Sequence, residues 1–224
     1  MANRLATSSL TSRQLRRLDD VVRDRYSTFT SGLPFHGWHH IAFVRKQAAI
    51  YARKNGADIA IVEAAAILHD LNYMVLRNSR VGEGKGLRRE ILQSIGVEDE
   101  AIKWIERVIT EAETEARDVH ACLEAQALSD ADTIFKALPI TPVLLAHRYM
   151  RETGQTTREL CDRIIRDQVR LRNEGIYFYD DDVRKQYDEW AAANLRLWQC
   201  IDDSLRHEEV RDLVAFLESN PDCR

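Results

Sequence analysis

One stretch of this 224-residue chain limits its fold more than any other: AAAILHDLNY, residues 64–73. A run of small and aliphatic side chains that begins at Ile59 ends in His69 and Asp70, side by side. The apolar residues are expected to be buried, and burying an imidazole and a carboxylate with them is costly unless a partner compensates. The fold must therefore bring a compensating group to this pair.

Apolar residues recur at helical spacing along most of the sequence. The clearest stripe advances in steps of three and four residues, and it comprises Val183, Tyr187, Trp190, Asn194, Trp198, Ile201 and Leu205. The other predicted helices are 12–29, 38–54, 57–70, 88–95, 98–115, 118–135, 141–152, 157–174 and 206–218. Glycine (9) and proline (4) are scarce, and no stretch alternates as a strand would. These features predict an all-α, single-domain helical bundle over residues 1–224.

Charge and cysteine usage exclude several classes of protein. The formal net charge is −4, which argues against nucleic acid as the main partner. The cysteines Cys122, Cys161, Cys200 and Cys223 are far apart and form no CxxC pair, so neither a disulfide framework nor a cysteine zinc site is expected. The N-terminus lacks the apolar core of a signal peptide, and no apolar run has membrane-spanning length. We therefore expect a cytoplasmic protein without membrane contacts.

A glycine-rich basic segment, VGEGKGLRRE, occupies residues 81–90. Its alternating glycines, followed by Lys85, Arg88 and Arg89, resemble a phosphate-binding loop only weakly, because no Lys-Ser/Thr follows and no strand precedes. A flexible, solvated connection is the favoured interpretation. The alternative is a mobile basic lid over an anionic substrate.

A metal ion would compensate His69 and Asp70. Adjacent residues of a helix point about 100° apart, so both could reach a cation near the helix end. Neutral imidazole and carboxylate are natural ligands of a divalent ion. Further ligands are offered upstream, in FHGWHHIAF, and downstream, in ALSDADTIF. Those stretches hold the candidates His36, His39, His40, Asp130 and Asp132.

The order of these three motifs resembles that of the HD superfamily of metal-dependent phosphohydrolases, over about residues 20–205. FHGWHH is similar to the family's Tyr-His-Asn-Trp-x-His opening, from which Phe35 and Gly37 depart. This resemblance implies a ligand set of His40, His69, Asp70 and Asp132. A shift of register would substitute His39 for His40, and Asp130 is the alternative to Asp132.

The resemblance also implies a function. One divalent ion (Mn, Fe, Co, Ni, Zn or Mg) would activate water to cleave a small phosphate ester or a nucleotide, with His69 and Asp70 as the catalytic pair and Asp70 steering the water. The remaining candidates are Lys85, Arg88 and Arg89 for phosphate, His36 and Tyr73 for substrate contact, and Arg45 and Glu111 for lesser roles. The expected partner is a small phosphorylated substrate, with a homodimer left open. The alternatives are an inactive HD-type module that binds a nucleotide or a partner, and an HD-type di-iron oxygenase.

Overall fold

The computed structural model describes residues 9–29 and 32–220, and these residues form helices and connecting turns without a strand. The helices are α1 (Ser12–Thr28), α2 (Trp38–Asn55), α3 (Ile59–Leu68), α4 (Asn72–Val75), α5 (Lys85–Ser94), α6 (Asp99–Ala112), α7 (Leu123–Ala137), α8 (Ile140–Leu144), α9 (Ala146–Thr153), α10 (Thr157–Asn173), α11 (Asp181–Ser204) and α12 (Glu208–Ser219). A short 3₁₀ helix, Val81–Gly84, precedes α5. The predicted all-α fold is confirmed.

Two predicted helices and one predicted connection differ from the observed structure. The helix predicted at 57–70 ends at Leu68, so His69 and Asp70 lie in the turn that follows α3. The helix predicted at 141–152 is broken at Leu145 into α8 and α9. The segment predicted as a flexible connection, residues 81–90, is the 3₁₀ helix followed by the first turns of α5. That interpretation was wrong because an ion pair at Arg88, described below, orders the segment.

The chain divides into two compact units, residues 1–132 and 133–224, and the boundary falls within α7. The prediction of a single domain stays a prediction. In the first unit α3 is the central helix, and it packs against α1, α2 and α6. Seven of its ten residues are buried, among them the whole run Ala64–Leu68. A helix that is apolar on every side requires neighbours on every side, which explains this position.

The start of α3 is defined by Asp58. Its side chain accepts hydrogen bonds from the backbone N–H groups of Ala60 (2.9 Å) and Ile61 (3.2 Å). This is the preferred way to satisfy donors that a helix N-terminus leaves free. The cap sets the register of α3, and therefore the positions of His69 and Asp70 at its other end.

In the second unit, α10 packs against α11. The stripe predicted on α11 is buried at Val183, Asn194 and Trp198, whereas Trp190 is 42% exposed and does not belong to the core. The Asn194 side-chain amide nitrogen donates to the carbonyl of Lys136 at 2.9 Å, which gives this buried donor a partner on an otherwise apolar face. None of the helices within residues 9–29 and 32–220 combines the length and the apolar character needed to span a bilayer.

Candidate metal centre

Three predicted ligands meet in the first unit, and a fourth, Asp132, lies beside one of them. His40 is the third residue of α2, His69 and Asp70 form the turn after α3, and Asp132 lies on α7. Asp70 Oδ2 is 3.0 Å from His40 Nε2 and 3.1 Å from His69 Nε2, and the two Nε2 atoms are 3.2 Å apart. Three ligand atoms from two segments of the chain therefore form a nearly equilateral triangle.

The size of this triangle suits a divalent ion. Two ligand atoms about 2.1 Å from an ion are about 3.0 Å apart when they subtend a right angle, and about 3.4 Å apart at the tetrahedral angle. The observed edges of 3.0–3.2 Å match one face of an octahedron. Side-chain exposure is only 1% for His40, 11% for His69 and 13% for Asp70. These three residues could hold a metal ion.

The hydrogen bonds around the triangle agree with that use. Asp70 Oδ2 is buried and lies close to the imidazole nitrogens of both His40 and His69. His69 Nδ1–H donates to the carbonyl of Ala66 at 2.9 Å. Because Nδ1 carries that hydrogen, the neutral ring has its lone pair on Nε2, which faces the triangle. The backbone of α3 thus selects the tautomer that can bind a metal.

The three groups shift one another's pKa. Burial lowers the pKa of His40, and this outweighs the effect of Asp70. Burial also acts to lower the pKa of His69, but the charge of Asp70 and its hydrogen bond prevail and raise that pKa to about 9. For Asp70, burial is outweighed by the charges of His69 and His36 and by hydrogen bonds from His40 and His69, so its pKa is well below the usual range. These shifts put a carboxylate beside a protonated imidazole, and a bound cation would take the place of the proton on His69.

Asp132 is placed beside the triangle and Asp130 is not. Asp132 Oδ1 lies 3.6 Å from His40 Nε2, and its side chain is 15% exposed. Residues two apart on a helix point to nearly opposite sides, so Asp130 faces away from His40. Asp130 is buried in α7. Asp132 is therefore the better placed of the two aspartates, while the group whose ligand atoms all lie within 4.8 Å of one another comprises His40, His69 and Asp70, and a fourth ligand stays a prediction.

The choice between the adjacent histidines is equally clear. His40 is buried in the triangle, whereas His39 is exposed on the surface of α2.

Gly37 caps the helix just before them, and a Cβ atom there would lie 2.5 Å from the carbonyl oxygen of Leu33. The chain approaches itself so closely at this point that only glycine fits. The departure at Gly37 is thus a requirement of the bend that leads into His40.

His36 and Tyr73, predicted as substrate contacts, contact each other. Their rings are stacked with centroids 3.7 Å apart and planes inclined by 10°. The His36 ring is buried and meets His40 edge-on, at a centroid distance of 5.9 Å. Their role in binding substrate stays a prediction, but the structure places both beside the ligands.

Arg88, a predicted phosphate contact, lies in a buried ion pair. Its guanidinium is buried and donates to both carboxylate oxygens of Glu106, at 2.8 and 2.7 Å, and to the carbonyl of Val81 at 3.0 Å. These contacts take up three of its five N–H groups, and phosphate binding by Arg88 stays a prediction. Arg89 forms a surface ion pair with Asp99, and Lys85 is exposed. For Lys85 and Arg89 phosphate binding stays a prediction.

The two remaining candidates also have protein partners. Arg45 bridges α1 and α3 through ion pairs with Asp19 and Glu63, the latter at 3.0 Å. Glu111 accepts from Arg107 at 2.6 Å and from the backbone N–H of Cys122 at 2.9 Å. Both are thereby assigned structural contacts.

Sequence reasoning missed Glu106 and Gly84. Glu106 lies between Ile102 and Ile109 at helical spacing, and an acid on an apolar stripe signals a buried partner. Nothing in the sequence predicts the contact of Gly84, where a Cβ atom would lie 2.8 Å from the backbone nitrogen of Asn72. This contact holds the glycine-rich segment against α4, the helix that follows the His69–Asp70 turn.

Comparisons with known proteins support the fold. No family model matches this chain. Over 125 residues it is 27% identical to the uncharacterized protein YpgQ of Bacillus subtilis (strain 168), a match that covers 54% of this chain and 61%, less than two thirds, of that protein.

Two solved structures are similar over most of the chain. A structural genomics target from Lactobacillus plantarum superimposes with a TM-score of 0.66 at 18% identity, covering 86% of this chain and 97% of its own. The structure of Bacillus subtilis YpgQ in complex with ADP gives a TM-score of 0.56 at 21% identity, covering 85% and 96%. At these identities the likeness shows the fold alone.

Proposed function

We propose that this protein is a metal-dependent phosphohydrolase that cleaves a nucleotide or another small phosphate ester. The observation that carries this proposal is the triangle of His40 Nε2, His69 Nε2 and Asp70 Oδ2, with edges of 3.0–3.2 Å. A mixed set of imidazoles and carboxylates that meets at one point suits a divalent ion, and hydrolysis of phosphate esters is a reaction that such ions promote.

The residues present would divide the work. His40, His69, Asp70 and Asp132 would hold the ion, which when bound supplies Lewis acidity, lowering the pKa of water and neutralising phosphoryl charge. Asp70 faces the imidazoles with Oδ2, and its Oδ1 lies outside the triangle. We assign Oδ1 to orienting the attacking water and accepting its proton as the P–O bond to the leaving oxygen breaks. The burial of His40 limits the access of bulk water from the side of α2.

The substrate class is supported by two further observations. The similar structure of YpgQ was solved in complex with ADP, a nucleotide. In this chain Lys85 is exposed at the start of α5 and Arg89 is half-exposed one turn later, on the helix that follows the 3₁₀ segment packed against α4. A chain of net charge −4 that displays local basic groups suits a small phosphorylated substrate better than a nucleic acid.

The test is hydrolysis by the chelator-treated protein after separate reloading with Mn²⁺, Co²⁺ and Zn²⁺. The panel comprises nucleoside mono-, di- and triphosphates and p-nitrophenyl phosphate, with released phosphate and pyrophosphate quantified. We expect turnover that chelation abolishes, that Asp70→Asn reduces by about 10³-fold or more, and that His39→Ala leaves unchanged. Metal retained without turnover on any substrate would contradict the proposal and favour a binding module. An iron-loaded protein with a di-iron absorbance spectrum would favour the oxygenase.

A further inference from the structure

A pair of stacked rings lies beside the candidate metal centre. The rings of His36 and Tyr73 are 3.7 Å apart, centroid to centroid, and nearly parallel, with 10° between their planes. Only 5% of His36 is exposed. Phe35 packs edge-on against the same imidazole, at a centroid distance of 4.7 Å. The imidazole is thus enclosed by aromatic rings, and this limits what else its faces can contact.

Each ring is coupled to a different metal ligand. The His36 ring meets the His40 ring at 5.9 Å with 87° between the planes, and the two residues belong to the bend and first turn of α2. Tyr73 is three residues beyond Asp70, and its backbone N–H donates to the Asp70 carbonyl at 3.1 Å. The stack therefore connects the segment that carries His40 to the turn that carries His69 and Asp70.

Such a connection matters because the ligands come from separate segments. A metal site needs its ligand atoms held within about 0.5 Å of the required geometry. The N-terminus of α2 has no side-chain cap, since Gly37 occupies the capping position. The stack supplies contacts at this end of the helix that Gly37 cannot.

We infer that His36 and Tyr73 are positioning residues, which hold His40 and Asp70 at metal-binding distance without themselves binding the ion. The inference rests on the metal centre of the proposed function, but not on its hydrolytic chemistry. Groups that orient metal ligands typically change metal affinity by 10- to 100-fold when they are replaced. The aromatic ring of Tyr73 provides the contact, so phenylalanine should substitute for it and leucine should not.

The experiment measures Co²⁺ and Mn²⁺ affinity by competition with a chromophoric chelator, and the thermal midpoint of each chelator-treated protein. Tyr73→Leu and His36→Ala should each weaken binding by about 10-fold or more, and Tyr73→Phe should stay within about twofold of wild type. The double variant should bind no more weakly than about the weaker single variant, because both remove one contact. Tyr26→Leu is the matched control, since the Tyr26 ring packs against Trp38 of the same helix start, at a centroid distance of 6.0 Å, and is not one of the two stacked rings.

Three results would overturn the inference. The first is unchanged affinity in both Tyr73→Leu and His36→Ala. The second is a loss of affinity in Tyr26→Leu as large as that in Tyr73→Leu, because a general loosening of the fold would then explain both. The third is wild-type protein that binds neither ion. If instead the variants weaken metal binding while no phosphate ester is hydrolysed, the positioning role stands and the proposed function fails.

Discussion

His40 Nε2 lies 3.2 Å from His69 Nε2, although 29 residues separate the two histidines in the sequence. The same carboxylate oxygen, Asp70 Oδ2, is within 3.1 Å of both nitrogens. Lone pairs from three groups thus meet in a largely buried space, an arrangement that a shared cation stabilises. The following predictions test this arrangement and the structure that supports it.

Replacing His40 should remove metal binding, whereas replacing its neighbour should not. We expect His40→Ala to lower Co²⁺ affinity by more than about 100-fold, beyond the usual effect of residues that only orient ligands. His39→Ala is the control, because His39 is exposed on the surface of α2. Elemental analysis after dialysis and chelator competition measure both. An equal loss of Co²⁺ affinity in the two variants would contradict the assignment of His40, rather than His39, as the ligand.

Metal should stabilise the folded protein. An ion present at about 100 times its Kd and bound only to the folded state adds about 2.7 kcal/mol. For a chain of this size that corresponds to a rise in Tm of about 5–10 °C. Thermal unfolding with and without Co²⁺ measures the rise, and excess chelator should reverse it. The same titration of Asp70→Asn should give no rise, and an equal rise there would place the stabilising site elsewhere.

Alanine should be harmful at Gly37 and favourable at Gly86. A Cβ atom at Gly37 would meet the Leu33 carbonyl at 2.5 Å, so the backbone before α2 must shift, at a cost of about 1–3 kcal/mol. Gly86 has no atom within 4 Å of a new Cβ and lies in α5, where alanine should add about 0.5–1 kcal/mol. Urea unfolding of the metal-free variants tests both signs. If Gly37→Ala left the free energy of unfolding unchanged, the tight bend would be contradicted. We also expect the Gly37→Ala variant to bind metal more weakly than the wild-type protein.

The two neighbouring arginines of α5 should differ in their contribution to stability. Arg88→Met leaves the buried Glu106 carboxylate without its partner, which costs about 3–5 kcal/mol. Arg89→Met removes a surface pair with Asp99, which is worth about 0–1 kcal/mol. Chemical unfolding of each variant measures the difference. Adding Glu106→Gln to Arg88→Met should restore part of the loss, and equal effects of the two single variants would argue against the buried pair.

The Cys122 thiol should be unreactive near neutral pH. Burial, and then the adjacent Glu111 carboxylate, raise the pKa of Cys122 to about 12. A raised thiol pKa means less thiolate below it, so at pH 8 only about one thiol in ten thousand is ionised. Iodoacetamide labelling followed by mass spectrometry should show Cys122 labelled slowly, with a rate that rises steadily between pH 8 and 10. Glu111→Gln should increase the rate, and rapid labelling of the wild-type residue at pH 8 would contradict the raised pKa.

The sequence by itself determined the fold class and the set of residues that were candidates for one metal site. Spacing of apolar side chains at three and four residues is a local property of a helix, so it can be recognised without knowing the neighbours of that helix. The burial of α3 followed from its composition alone. So did the expectation that His69 and Asp70 need a partner, because the cost of burying them does not depend on the fold.

Only the tertiary structure decided which residues have which partner. The exposure of His39 against the burial of His40, the side of α7 that Asp132 faces, and the pairing of Arg88 with Glu106 all depend on segments distant in sequence. The close approach at Gly37 likewise depends on the path of the chain before α2. Helical periodicity specifies which residues share a face, but the partner of that face is set when distant segments pack, and ion pairs and ligand distances are properties of that packing.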